Sequence, residues 1–115
     1  MNLLSIVVPV YNEENNIGEL IKKLKNLDLS GSNFRKEIII VNDGSTDGSA
    51  SIIESFDEIV IKKQDNQGKG SAVQNGIESA NGNYILIQDG DLEYNPDDII
   101  KMCNQLGSSE NMSIY

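Results

Sequence analysis

Apolar residues along this chain come in two alternating textures, unbroken runs and spaced stripes. Residues 3–11, LLSIVVPVY, are a continuous, largely β-branched run, the pattern of a strand buried on both faces. In EENNIGELIKKLKNL, residues 13–27, Ile17, Leu20, Ile21, Leu24 and Leu27 recur at helical spacing and predict a helix with one apolar face. A polar loop, SGSN (30–33), precedes a second buried run, KEIIIVND (36–43). STDGSASIIESF (45–56) predicts a weaker helix, with Ser45 or Thr46 as its N-cap. EIVIKKQD (58–65) alternates in part, which suits a strand nearer a sheet edge. GKGSAVQNGIESA (68–80) predicts a helix that starts at glycines and turns Ala72, Val73, Gly76, Ile77 and Ala80 inward. After a turn at NGN (81–83), YILIQ (84–88) is the fourth strand. PDDIIKMCNQL (96–106) predicts the last helix, with Asn95 as N-cap, Pro96 in the first position and acids in the first turn. Its apolar face is Ile99, Ile100, Cys103 and Leu106. Residues 1–106 therefore form one domain, and GSSENMSIY (107–115) is expected to be a loose tail.

Strands buried on both faces and alternating with helices imply an α/β fold, a mainly parallel sheet with helices on both faces. In such a sheet every carboxyl end points to the same edge, and ligands bind along that edge. The first strand exits at Pro9, Tyr11, Asn12 and Glu13, and the second at Asn42, Asp43 and Gly44. The third exits at Gln64, Asp65 and Asn66, and the fourth at Gln88, Asp89, Gly90 and Asp91. One polar exit is what any soluble domain shows. Four acid or amide clusters on one edge, with glycines beside two of them, predict a binding site.

Composition narrows the chemistry. A chain of 115 residues fits one domain. A formal net charge of −9 repels phosphate backbones and anionic headgroups, so non-specific nucleic-acid binding is excluded. An anionic ligand would need a recruited positive charge. Histidine is absent, which removes Ser-His-Asp and Cys-His nucleophiles and histidine-ligated zinc. Cys103 is the single cysteine, so no internal disulfide forms and a reducing, cytoplasmic setting is expected. No apolar run approaches the ~20 residues of a membrane span, and no signal peptide opens the sequence.

Asp89 and Asp91 stand two apart in YILIQDGDLEYNP, so in an extended segment they face the same way, about 6.5–7 Å apart at Cα. Their mutual repulsion is relieved by a hard divalent cation, Mg²⁺ or Mn²⁺, and Glu93 continues the alternation as a third oxygen donor. A solvated acidic turn is the plain alternative. Asp43, at a strand tip before Gly44, is placed to accept hydrogen bonds from a base or ribose, or to cap the next helix. Pro9 is expected to end or bend its strand and splay Tyr11 outward for stacking on a base. Glu13 could meet a ribose hydroxyl or serve as a helix-start charge. Lys69, between Gly68 and Gly70, stands at a helix start whose N–H groups attract anions and adds charge there, but reads more simply as a solvated lysine; the P-loop spacing is absent.

The segments SIVVPVYNEENNI, EIIIVNDGSTDGS and NQGKGSAVQNGIESANGNYILIQDGDLEYNPDDI, in that order, resemble the amino-terminal half of family 2 inverting glycosyltransferases of the GT-A fold. QDGDLEYNP is most similar to the polyprenyl-phosphate branch, the dolichyl-phosphate mannose synthase-like enzymes. The resemblance implies a Rossmann-like nucleotide-diphospho-sugar transferase fold, truncated here, that binds a UDP- or GDP-sugar. It implies that Pro9, Tyr11 and Glu13 line the nucleotide pocket and that Val41 and Asp43 contact base and ribose. Asp89, Gly90 and Asp91 would form the metal and diphosphate motif, with Glu93 as a further ligand. The acceptor it implies is a lipid phosphate or a saccharide, which suits a peripheral position at the cytoplasmic membrane face. Family members often carry a basic residue where this chain has Gln74, and no residue is assignable as a general base. An open sheet edge is expected to drive self-association into a homo-oligomer. A non-catalytic nucleotide-sugar-binding module is the alternative. A receiver domain would need paired acids after the first strand and a lysine after a fifth, and an oxidoreductase would need a glycine fingerprint after the first; neither pattern is present.

Overall fold

A computed structural model describes residues 1–90 and 94–107. The elements are β1 (Asn2–Val10), α1 (Ile17–Lys25), β2 (Phe34–Asp43), α2 (Ser49–Glu54), β3 (Val60–Gln64), α3 (Lys69–Ser79), β4 (Tyr84–Ile87) and α4 (Pro96–Gly107). The strands form one sheet in the order β3-β2-β1-β4, and every pairing is parallel. β3 lies on an edge, in keeping with its partly polar sequence.

Alternate residues of the central strands feed two cores. Leu4, Ile6, Val8 and Val10 of β1, with Ile38 and Ile40 of β2, pack against the apolar faces of α1, α2 and α4. Val7, Ile39 and Val41 point the other way and pack against Ala72 of α3. Helices thus cover both faces. α1 buries Ile17, Leu20, Ile21 and Leu24, and its last turn carries Lys22, Lys23 and Lys25 against the negative end of the helix dipole. α4 starts as its sequence requires: Asn95 Oδ1 accepts the N–H groups of Asp97 (3.0 Å) and Asp98 (3.3 Å). Gly76 lets α3 lie close to the sheet, since a Cβ there would stand 2.2 Å from Val7 Cγ1.

Four local expectations are corrected. β2 begins at Phe34, two residues early, because Phe34 pairs with Asn2 and packs edge-on against Tyr84, ring centroids 5.3 Å apart. α2 begins at Ser49, and neither Ser45 nor Thr46 caps it. Of the residues expected to turn inward from α3, Ala72 and Gly76 are buried, while Val73, Ile77 and Ala80 are half-buried. Pro9 does not end β1, which runs on to Val10 in register with Asn42. Val7 accepts a hydrogen bond from Gln88 N–H on the β4 side (2.9 Å). Strand alternation turns Pro9 to that same side, where β4 has already ended at Ile87, so the ring removes no ladder bond. The expected tail lies, apart from Gly107 at the end of α4, outside the described residues.

Candidate functional site

The strand order decides where a ligand fits. From β1 the chain moves outward through β2 to β3, then returns to the other side of β1 as β4. The crevice at the carboxyl ends of β1 and β4 is therefore the topological switch point, where open α/β sheets bind ligands. A cavity of about 250 Å³ opens there. β1 and its exit contribute Pro9, Val10, Tyr11 and Glu13. The tip of β2 contributes Asp43, α3 contributes Lys69 and Ala72, and the exit of β4 contributes Asp89 and Gly90. Six residues singled out in the sequence, Pro9, Tyr11, Glu13, Asp43, Asp89 and Gly90, thus share one wall. Val41 does not join them. It lies on the same sheet face as its register partner Pro9 but is fully buried beneath α3. Asp91 and Glu93 lie outside the described residues.

The β1 exit is held by the loop after β2. Asn12, at φ 51°, donates its backbone N–H to Ser45 Oγ (3.0 Å) and accepts Thr46 N–H at Oδ1 (2.8 Å). Glu13 N–H donates to Ser49 Oγ (2.9 Å) and Glu14 N–H to Asp47 Oδ2 (3.2 Å). This lacing is what occupies Ser45 and Thr46 in place of a cap. It also fixes the backbone on which Tyr11 stands, 47% exposed at the cavity mouth. Asp47 accepts Ser49 N–H (2.9 Å), and its hydrogen bonds with Ser49 hold its carboxyl below the usual carboxylate range.

Asp43 is 3% exposed. Its Oδ1 accepts Gln64 Nε2 (2.8 Å) and Gln67 N–H (2.8 Å), and its Oδ2 accepts Gly68 N–H (3.0 Å) and, more loosely, Asn66 Nδ2 (3.4 Å). Burial pushes the carboxyl pKa up, but the bonds from Gln64, Gln67 and Gly68 outweigh it and leave the pKa below its ordinary value. Asp43 therefore ties the β3–α3 loop and the start of α3 to β2 and does not cap α2. Gly44 permits the approach: at φ +72°, its Cβ would lie 2.6 Å from Asn66 N.

Lys69 and Asp89 form an ion pair across the cavity, from the first residue of α3 to the exit of β4. The two side chains are 63% and 47% exposed. In sequence alone Lys69 resembles a solvated lysine at a helix start. Its place at a helix start carried an anion-attracting reading beside the solvated one; what the sequence lacked was Asp89 as its partner. Glu13 faces the β4 exit, since a Cβ on Gly90 would lie 3.3 Å from Glu13 Cγ. Among the described residues no group of three metal-ligating side chains gathers. The donors present are nevertheless carboxylate oxygens, which suit a hard divalent cation. Asp43 is already engaged by four N–H donors, whereas, among the described residues, Glu13 accepts only a long bond from Asn16 Nδ2 (3.5 Å) and Asp89 only the Lys69 ammonium.

Residues 5–114 match the model of the family described as Glycosyl transferase family 2. The chain belongs to this family. This family 2 chain is 36% identical over 115 residues to dodecaprenyl-phosphate galacturonate synthase of Rhizobium johnstonii, covering 93% of the chain and 33% of that protein. It is 36% identical over 99 residues to dolichyl-phosphate beta-glucosyltransferase of Dictyostelium discoideum, covering 76% of the chain and 30% of that protein. Its fold superposes on S. aureus TarS 1–349 in complex with UDP-GlcNAc with a TM-score of 0.73 at 27% identity, covering 92% of the chain and 32% of TarS. The chain thus spans about a third of the length of these relatives. Its sheet and helices are the GT-A arrangement of the family. Among the described residues, no helix is long and apolar enough to cross a membrane.

Proposed function

We propose that this chain forms the donor-binding part of a glycosyltransferase that takes a nucleotide-diphosphate sugar with a divalent cation and passes the sugar to a polyprenyl phosphate. The observation that carries the proposal is the cavity at the switch point, to which three separated stretches of sequence, the exits of β1, β2 and β4, each bring a residue the family resemblance names. Two relatives have names that specify a dodecaprenyl or dolichyl phosphate, which supports a lipid phosphate acceptor and a peripheral position at a membrane. TarS is bound to UDP-GlcNAc, which supports a nucleotide sugar; both UDP and GDP donors fit the proposal.

Each wall residue then has a task. Tyr11 offers a half-exposed ring for a planar base to stack on. Asp43 stands behind it, and its loosest partner, the Asn66 amide at 3.4 Å, is the one a base N–H or ribose hydroxyl would displace. Glu13 closes the side toward Gly90, where the absent side chain leaves the backbone open to the diphosphate. Asp89 and Asp91 would hold Mg²⁺ or Mn²⁺, with Glu93 as a further donor. When bound, the cation supplies positive charge to the departing diphosphate as a Lewis acid. A phosphate acceptor is already a nucleophile, so the scheme requires no strong general base.

Calorimetric titration of UDP and GDP into the chain, with and without Mn²⁺, tests donor binding. Binding of one nucleotide that depends on Mn²⁺ is expected; absence of binding under every condition refutes the proposal. A second reading is a donor-binding module without transfer. Incubation with a labelled nucleotide sugar and a polyprenyl phosphate separates the two, since only a transferase yields a glycosylated lipid.

A further inference from the structure

We infer that Lys69 is an exchangeable counter-ion of the donor cavity: Asp89 holds it while no divalent cation is present, and it turns to the diphosphate when a cation takes Asp89. The inference rests on the donor-site proposal above. Lys69 is the one cationic side chain among the described residues that line the cavity, opposite Glu13, Asp43 and Asp89. Its ammonium leaves the start of α3 and reaches the β4 exit to pair with Asp89. Three features make the pair exchangeable. Both side chains are largely solvated, so the pair is weak and water can replace either partner. Neither flanking glycine has any atom within 4 Å of where a Cβ would stand, so the lysine stem has room to swing. Gly68 N–H is bonded to Asp43 Oδ2, so the backbone under Lys69 stays fixed while its side chain moves.

Charge then dictates a competition and a hand-over. A carboxylate cannot give its full attraction to an ammonium and a divalent cation at once. The cation, with twice the charge, wins Asp89 and frees the ammonium. The freed ammonium faces a cavity that now holds a diphosphate, and it attracts that group as a point charge. Lys69 should therefore oppose cation binding in the empty cavity and assist nucleotide binding in the loaded one.

The test titrates MnCl₂ alone into the 115-residue chain and its Lys69→Met variant, following free Mn²⁺ by electron paramagnetic resonance. UDP and GDP are then titrated into each protein at saturating Mn²⁺. Lys62→Met, on the exposed part of β3, controls for the loss of one positive charge, and circular dichroism checks that each variant is folded. Lys69→Met is expected to bind Mn²⁺ alone roughly two- to five-fold more tightly, the size of an exposed ion pair, and to bind the nucleotide several-fold more weakly. Lys62→Met should change neither. Unchanged Mn²⁺ and nucleotide affinities in Lys69→Met, or equal shifts in both variants, overturn the inference alone. Failure of the unmodified chain to bind Mn²⁺ or either nucleotide overturns the donor-site proposal and this inference with it.

Discussion

Replacing Gly76 by alanine should destabilise the protein by about 2 kcal/mol and weaken nucleotide binding together. The new Cβ would stand 2.2 Å from Val7 Cγ1 and 3.3 Å from both Val7 Cβ and Val41 Cγ2. Carbon atoms in contact sit at about 3.5–4.0 Å, so more than an ångström must be found. Val7 cannot supply it. It is β-branched and stiff at χ1, fully buried, and lies on β1 between two paired neighbours. The helix must retreat instead. Overpacking of this kind costs about 3 kcal/mol at the upper end of its usual range. Alanine returns about 1 kcal/mol through its better helix propensity, which leaves a net loss of about 2. Lys69 and Ala72 ride on the same helix and line the cavity, so its retreat widens the proposed nucleotide site.

Urea unfolding followed by far-UV circular dichroism measures the stability change, as a lower midpoint at unchanged slope. Val7→Ala removes the clashing methyl and by itself should cost about 2 kcal/mol as a buried truncation. In the double variant the two losses should fall well short of their sum, because the alanine methyl occupies the space that Val7 vacates. A Gly76→Ala protein as stable as the parent, or losses that simply add, would refute the close-packing argument.

Asp43→Asn should cost about 1–2 kcal/mol at neutral pH, as charged acceptors of Gln67 and Gly68 N–H become a neutral amide. The folded pKa of Asp43 lies below the ordinary 3.8, so its contribution is complete above that value and is lost as pH falls through the folded pKa; urea midpoints of parent and variant should converge in strong acid. Asp89→Asn should alter stability by no more than about 1 kcal/mol, since it breaks only an exposed ion pair, yet abolish Mn²⁺-dependent nucleotide binding by calorimetry. Chelation of divalent cations should do the same to the unmodified chain, and restoring Mn²⁺ should reverse it.

What the sequence revealed and what it hid divide by the range of the interactions. The β-branched runs and the stripe from Ile17 to Leu24 depend on period alone, and period is local. The ligand edge was legible because a parallel sheet sends every strand exit to one side, which made Tyr11, Asp43 and Asp89 candidates for one site without knowledge of the strand order. The hidden features have partners far along the chain. Ser45 and Thr46 look like caps until Asn12, more than thirty residues earlier, takes them. Pro9 looks like a strand breaker until β4 proves too short to need a backbone donor at that position. Lys69 looks like any solvated lysine until β4 brings Asp89 opposite it. Val41 belongs with them. Its sheet face is that of Pro9, its register partner, so alternation alone does not exclude it; what hides it is the cover of α3, a contact with a segment far along the chain.

The charge balance of the cavity explains how so acidic a chain could hold an acidic ligand. Three carboxylates line the described wall, and they are not equivalent. The Asp43 charge is met by oriented N–H donors of a loop and a helix start, so it needs no mobile counter-ion and adds little to what a ligand feels at short range. The Asp89 charge is met by Lys69, and Glu13 remains. At rest, then, the cavity is close to balanced on its Lys69 side and negative on its Glu13 side. A nucleotide diphosphate arriving alone would face Glu13 without compensation and would have to win Lys69 from Asp89. On the proposed scheme, a diphosphate arriving with a divalent cation brings the charge that Asp89 would attract, and Lys69 would be released toward it. On this reasoning the cation and the diphosphate should bind with positive coupling. Monovalent salt, which only screens, should weaken the coupling and never replace the cation.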